Sequence, residues 1–190
     1  MKIFFTIMLL LLISGSVILK AATYKNSTVV INGKTHDLLF SVPDNYNTAN
    51  TYPLVIGLHY CGSTADVFRS ALHSITDELG MIIACPDYST FNGGWIPDAD
   101  TSLFRLIVAK SETDYRIDPN MIFLTGMSCN AEYLIRHALA GVYPFKGIFP
   151  WDPYNPNVNS YNLNSKIPVV LAFGTKDPAV LEDIKIYKGL

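Results

Sequence analysis

Apolar positions along the chain fall into two alternating spacings. Uninterrupted apolar runs occupy 54–58, 81–85, 121–124 and 169–173, with a shorter one at 147–149, and runs of this kind suit strands buried on both faces. Between them the spacing turns helical: Phe68, Ala71, Leu72, Ile75 and Leu79 before Gly80; Leu103, Leu106 and Ile107; Ala131, Leu134, Ile135, Ala138 and Leu139 before Gly141. The glycines fit helix C-terminal caps. Upstream, β-prone runs at 27–31 and 36–42 flank Asn32-Gly33, a dipeptide that accepts the positive φ angles of a tight hairpin. The alternation predicts an α/β domain, with a doubly wound, mostly parallel sheet and helices on both faces. Ligands of such sheets bind outside the carboxyl ends of the strands. The Asn-, Tyr- and Pro-rich stretch 151–166 reads as a long surface loop.

Composition narrows the class. Hydrophobic residues make up 49% and charged residues 16% of the 190, which excludes a disordered, collagen-like or coiled-coil chain and suffices for one domain. A formal charge of −2 without a basic cluster excludes the electrostatic footprint of nucleic-acid binding. The N-terminus differs from the rest. Met1 and Lys2 precede an uncharged apolar run at 3–19, broken only by Thr6, Ser14, Gly15 and Ser16, the layout of a secretory signal peptide. The expected organisation is therefore a signal at 1–22 and one α/β domain at 23–190, secreted and free of the membrane after cleavage. The competing reading is an uncleaved anchor. Either way the domain lies outside the cytosol, where Asn26-Ser27-Thr28 is a glycosylation acceptor if the source is a eukaryote.

Candidate chemistry centres on Gly126-Met127-Ser128-Cys129-Asn130, which joins a buried run to a helical one. A nucleophilic serine is held on a sharp strand-to-helix turn, with its hydroxyl exposed and the next backbone N–H facing the developing oxyanion. The usual pattern ends in a second glycine. Asn130 stands there instead, a residue that tolerates unusual backbone angles. The competing reading of Ser128 is an ordinary helix N-cap. Leu58-His59-Tyr60-Cys61-Gly62 leaves a buried strand where the second oxyanion donor belongs, so the N–H of Cys61, or else of Tyr60, pairs with that of Cys129. His59 reads as a turn-stabilising residue. Asp177 leaves the run at 169–173 as a triad acid should, with Asp152 the second choice and Asp87 a turn residue. Tyr88, Phe91, Trp95, Trp151 and Tyr154 read either as an aromatic substrate platform or as loop packing.

These segments resemble the secreted esterase and polyhydroxybutyrate-depolymerase-like branch of the α/β-hydrolases, which includes feruloyl esterases. The resemblance covers about 135 residues: Pro53-Leu-Val-Ile-Gly-Leu-His59-Tyr-Cys-Gly62, Tyr115-Arg-Ile-Asp-Pro-Asn-Met-Ile-Phe-Leu-Thr-Gly-Met-Ser128 and Phe173-Gly-Thr-Lys-Asp177. It implies hydrolysis of a small or polymeric carboxylic ester through an acyl-enzyme on Ser128, with no metal or organic cofactor. Within that frame a Cys61–Cys129 disulfide is expected, because two N–H groups converging on one oxyanion bring their residues together. Cys85 stays unpaired. The triad histidine of these enzymes follows the acid, yet His36, His59, His73 and His137 all precede Asp177. The fold is therefore expected to be C-terminally incomplete, with a last helix at 181–188, and the chain inactive as it stands. A serine peptidase or dienelactone-type hydrolase, or a non-catalytic binding protein on the same fold, are the alternatives.

Overall fold

The computed structural model describes residues 23–90, 92–94, 96, 102–153, 164–174 and 176. The signal segment, Phe91, Trp95, Tyr154, Asp177 and the expected helix at 181–188 lie outside them. In chain order the elements are β1 (Thr23–Ile31), β2 (Lys34–Val42), β3 (Tyr52–Leu58), α1 (Ala65–Leu79), β4 (Ile82–Pro86), a 3₁₀ turn (Asn92–Gly94), α2 (Leu103–Asp114), β5 (Ile117–Met127), α3 (Cys129–Leu139) and β6 (Gly147–Trp151). They build one six-stranded sheet in the order β1-β2-β4-β3-β5-β6. β1 and β2 form the antiparallel hairpin, turning at Asn32 (φ 49°) and Gly33 (φ 76°), and β2 adds antiparallel to β4. From β4 through β3 and β5 to β6 all pairings are parallel. The carboxyl ends of four strands thus share one edge.

Period-two alternation sends successive strand residues to opposite faces. Leu54, Ile56, Leu58, Ile122 and Leu124 pack with α2 and α3 in the larger core, while Val55, Ile83 and Cys85 meet Phe68 and Leu72 of α1 on the other face. Gly80 caps α1 at φ 63°. Beside α1 this second face carries an apolar groove of about 760 Å³ over β5 and β6, lined by residues including Ile75, Phe123, Phe149, Trp151 and Val170. One expected strand is reduced. The run at 169–173 makes only isolated parallel bridges to β6, at Ile148–Val169 and Trp151–Ala172. Its Val170 stays 61% exposed, so this edge gains little apolar burial from extending the pairing. β5 is longer than its apolar run, because an irregular register between Tyr52–Ile117 and Leu54–Ile122 absorbs the polar Asp118-Pro119-Asn120.

Candidate active site

Ser128 is the single residue between β5 and α3, and it turns the chain with φ 54° and ψ −125°. A non-glycine residue with this backbone is held against its own steric preference. Its amide donates to the Trp151 carbonyl of the neighbouring strand (2.9 Å), and its carbonyl accepts from the Ala131 and Glu132 amides (3.0 and 3.2 Å). The hydroxyl makes no capping bond. By contrast, Thr64 caps α1 in extended geometry (φ −126°) and accepts from the Val67 amide at 3.3 Å. Ser128 is therefore not an ordinary N-cap. The strand can run this close to the helix because Gly126 lacks a side chain: a Cβ there would lie 2.6 Å from Leu134 Cδ2 and 3.1 Å from Leu58 Cβ.

The neighbouring strand supplies the second part. Leu58 pairs with Gly126, so the turn that follows β3 faces the turn that follows β5. A disulfide joins them between Cys61 and Cys129, with 6.1 Å between Cα atoms, and Cys85 is the buried free cysteine. Closing a 68-residue separation is worth about 4 kcal/mol in the chain-entropy account. Cys129 opens α3, and the first amides of a helix have no intrahelical acceptor. The Cys61 amide points at Cys129 Sγ (2.9 Å).

Asn130 departs from the expected reason for its presence. Its φ is not among the positive values of the chain, and the strained backbone belongs to Ser128 instead. Fully buried, its side chain donates from Nδ2 to the carbonyls of His59 (2.6 Å) and Gly94 (2.8 Å) and accepts at Oδ1 from the Ile96 amide (3.1 Å). No local signal could have shown this, since the partners lie 34–71 positions away.

The histidines are engaged elsewhere. His59, 1% exposed, accepts the Tyr88 amide at Nε2 (3.0 Å) and therefore donates from Nδ1 to the Tyr60 carbonyl (2.9 Å). This fixes the turn. His137 bonds the Tyr133 carbonyl one helical turn back and stacks on that ring. His36 meets the Asp87 carbonyl, stacked on Tyr88, and His73 reaches Ser41 on the β2 side of α1. Asp87 is a turn residue that takes the Ser89 amide (2.7 Å) and the Ala65 amide at the start of α1 (3.2 Å). Burial alone would raise its pKa; bonds from Ser89 and Ala65, with His59 nearby, outweigh burial and hold the carboxyl below its ordinary value. Asp152 directly follows β6 with φ 47°, its amide bonded to the Ala172 carbonyl. Tyr88 is packed at 1% exposure, which removes it from any substrate platform. Trp151 packs edge-on against Phe68 and Phe149 on the groove side.

No family model matches the chain. Among curated proteins it is similar to the probable feruloyl esterase C of Aspergillus terreus, 27% identical over 137 residues, covering 68% of this chain and 50% of that protein. It is also similar to feruloyl esterase D of Neurospora crassa, 31% identical over 127 residues, covering 57% and 43%. The chain spans about half the length of the curated relatives it matches. Among solved structures, the fluorophosphonate-binding serine hydrolase F of Staphylococcus aureus superposes with a TM-score of 0.68 at 14% identity, covering 90% of this chain and 86% of that one. The shared architecture is the α/β-hydrolase fold.

Proposed function

For this α/β-hydrolase-fold chain, a distant relative of fungal feruloyl esterases, we propose the function of a serine carboxylesterase with Ser128 as nucleophile. The observation that carries the reading is the backbone of Ser128, a strained one-residue turn at the carboxyl end of β5 whose hydroxyl is not used for capping. Attack of Ser128 Oγ on an ester carbonyl places negative charge on the carbonyl oxygen. The Cys129 amide and one amide of the facing turn stabilise it. Cys61 fills that place, with Tyr60 as alternative: the disulfide sulfur that the Cys61 amide now meets is a weak acceptor, which an oxyanion displaces. Asp177 is the proposed triad acid and Asp152 its rival. The general base of this reading is a histidine; His59, His137, His36 and His73 bond to Tyr88 and Tyr60, Tyr133, Asp87 and Ser41 respectively. The relatives' names point to feruloyl esters, and the proposed substrates are extracellular esters of that kind, plant-wall phenolic or acetyl esters or a polyester. The disulfide fits an oxidising, extracytosolic compartment.

The test uses the full-length protein. Ser128→Ala should abolish both labelling by a fluorophosphonate and hydrolysis of p-nitrophenyl acetate and methyl ferulate, with the circular dichroism spectrum and melting temperature retained, since the change removes one hydroxyl. Activity unaltered by that substitution overturns the reading. A second reading, a non-catalytic binding protein, draws on the engagement of all four histidines. It predicts that the unsubstituted protein fails to label at Ser128 at all.

A further inference from the structure

We infer that Asn130 is a positioning residue of the oxyanion hole, doing with its side chain what a glycine at this place cannot. The inference rests on the reading of Ser128 as nucleophile. Three backbone segments meet at its amide: the turn after β3 through the His59 carbonyl, the end of the 3₁₀ turn and the stretch after it through the Gly94 carbonyl and the Ile96 amide, and the start of α3 through Asn130 itself. Both amide hydrogens and the carbonyl oxygen are used, in full burial. The 3₁₀ turn is bound to the turn after β3 a second time, where the Gly62 amide donates to the Gly93 carbonyl (2.8 Å). Gly94 keeps the two in contact, because a Cβ on it would lie 3.2 Å from the Gly62 nitrogen and 3.4 Å from Cys61 Cα.

Asn130 and the disulfide therefore form two adjacent ties across the same gap, residue 130 to 59 and residue 129 to 61. The backbone between 59 and 61 carries both candidate donors, Tyr60 and Cys61. Their distance from the Cys129 amide is set by these ties. Oxyanion donors must sit ~2.7–3.1 Å from the developing charge, and a displacement of about 1 Å costs roughly 10²-fold in rate. A merely packing role for Asn130 would affect stability; a positioning role affects transition-state binding above ground-state binding.

The experiment compares Asn130→Gly, which restores the usual motif and deletes the clamp, with Asn130→Asp, which turns an acceptor toward two carbonyls. Asn130→Ser, which keeps a single donor, covers the case in which either variant fails to fold. All are assayed in the full-length protein on a p-nitrophenyl ester, below their own melting temperatures. The expected result is a kcat lowered by about 10- to 100-fold with KM within about threefold, and a matching loss of affinity for a trifluoromethyl ketone that forms a tetrahedral adduct. Affinity for the carboxylate product should hold. If kcat and ketone affinity of the folded variants stay within twofold of the unsubstituted protein while Ser128→Ala is inactive, the positioning role is overturned and the nucleophile stands. If Ser128→Ala is itself active, the underlying reading fails first.

Discussion

Replacing Gly126 with alanine tests the contact on which the Ser128 turn is built. The added Cβ would meet Leu134 Cδ2 at 2.6 Å, Leu58 Cβ at 3.1 Å and the Leu58 carbonyl oxygen at 3.2 Å. The first of these is the end of a rotatable side chain, but Leu134 is fully buried and has little room to turn. The other two are fixed by the β3–β5 register, which pairs Leu58 with Gly126, so rotamer change alone cannot relieve them. Overpacking of this kind costs about 1–3 kcal/mol. For a chain of this size each kcal/mol lowers the melting temperature by roughly 2–4 °C, giving an expected fall of about 2–12 °C. Urea unfolding of Gly126→Ala, Leu134→Ala and the double variant separates the contributions. Removing Leu134 should relieve the shortest contact, so the double variant should be more stable than the sum of singles predicts, with coupling of about 0.5–3 kcal/mol. A single Gly126→Ala within about 0.5 kcal/mol of the unsubstituted protein, or additive singles, refutes the claim that the helix rests directly on this strand position.

Asp87 links stability to acid. Its folded pKa is lowered, so its contribution is fully present above the unfolded value of about 3.9 and is lost as pH falls through the folded value. Asp87→Asn should cost about 1–3 kcal/mol at pH 6–7, from weakened bonds to the Ala65 and Ser89 amides, with the difference from the unsubstituted protein shrinking below about pH 4; a pH-independent difference in urea titrations contradicts this. Cys85 has its thiol pushed up to about 12, by burial first and against the nearby Arg69 charge. Native protein should therefore show no thiol reactive toward a disulfide reagent at pH 8, unfolded protein one, and unfolded, reduced protein three; rapid labelling of the native state contradicts the burial of Cys85.

Much of the fold is legible where a local signal suffices. Asn32-Gly33 announces its hairpin because the turn itself demands positive φ, and Gly80 announces the end of α1 for the same reason. The buried strands announce themselves by unbroken apolar runs. β5 exceeds its run because Asp118-Pro119-Asn120 extends the strand through a register irregularity, which depends on the partner strand. The serine turn and the Cys61–Cys129 pair are legible as well, since one motif and one geometric requirement bring them together. The hold on His59 is less so, because it needs the Tyr88 amide, and Tyr88 reads equally as a platform or as loop packing until its stacking on His36 decides for packing. Asn130 is least legible. A polar side chain two residues after a serine says nothing of carbonyls 36 and 71 positions away.

The same network explains how Ser128 keeps its backbone. A residue in such a conformation carries on the order of 1–3 kcal/mol of strain, and persists only where its surroundings fix it from several sides. Here its amide is bonded across to β6 and its carbonyl receives two amides of α3. On one side Gly126 locks into Leu58 and Leu134, and on the other Cys129 is covalently tied to the facing turn. Each restraint acts on the main chain or on a neighbouring residue. None draws on the serine hydroxyl, whereas at Thr64 the hydroxyl is consumed in capping. The chain thus meets the cost of the strained turn with backbone bonds, packing and a disulfide, and none of these restraints consumes the serine hydroxyl in capping α3.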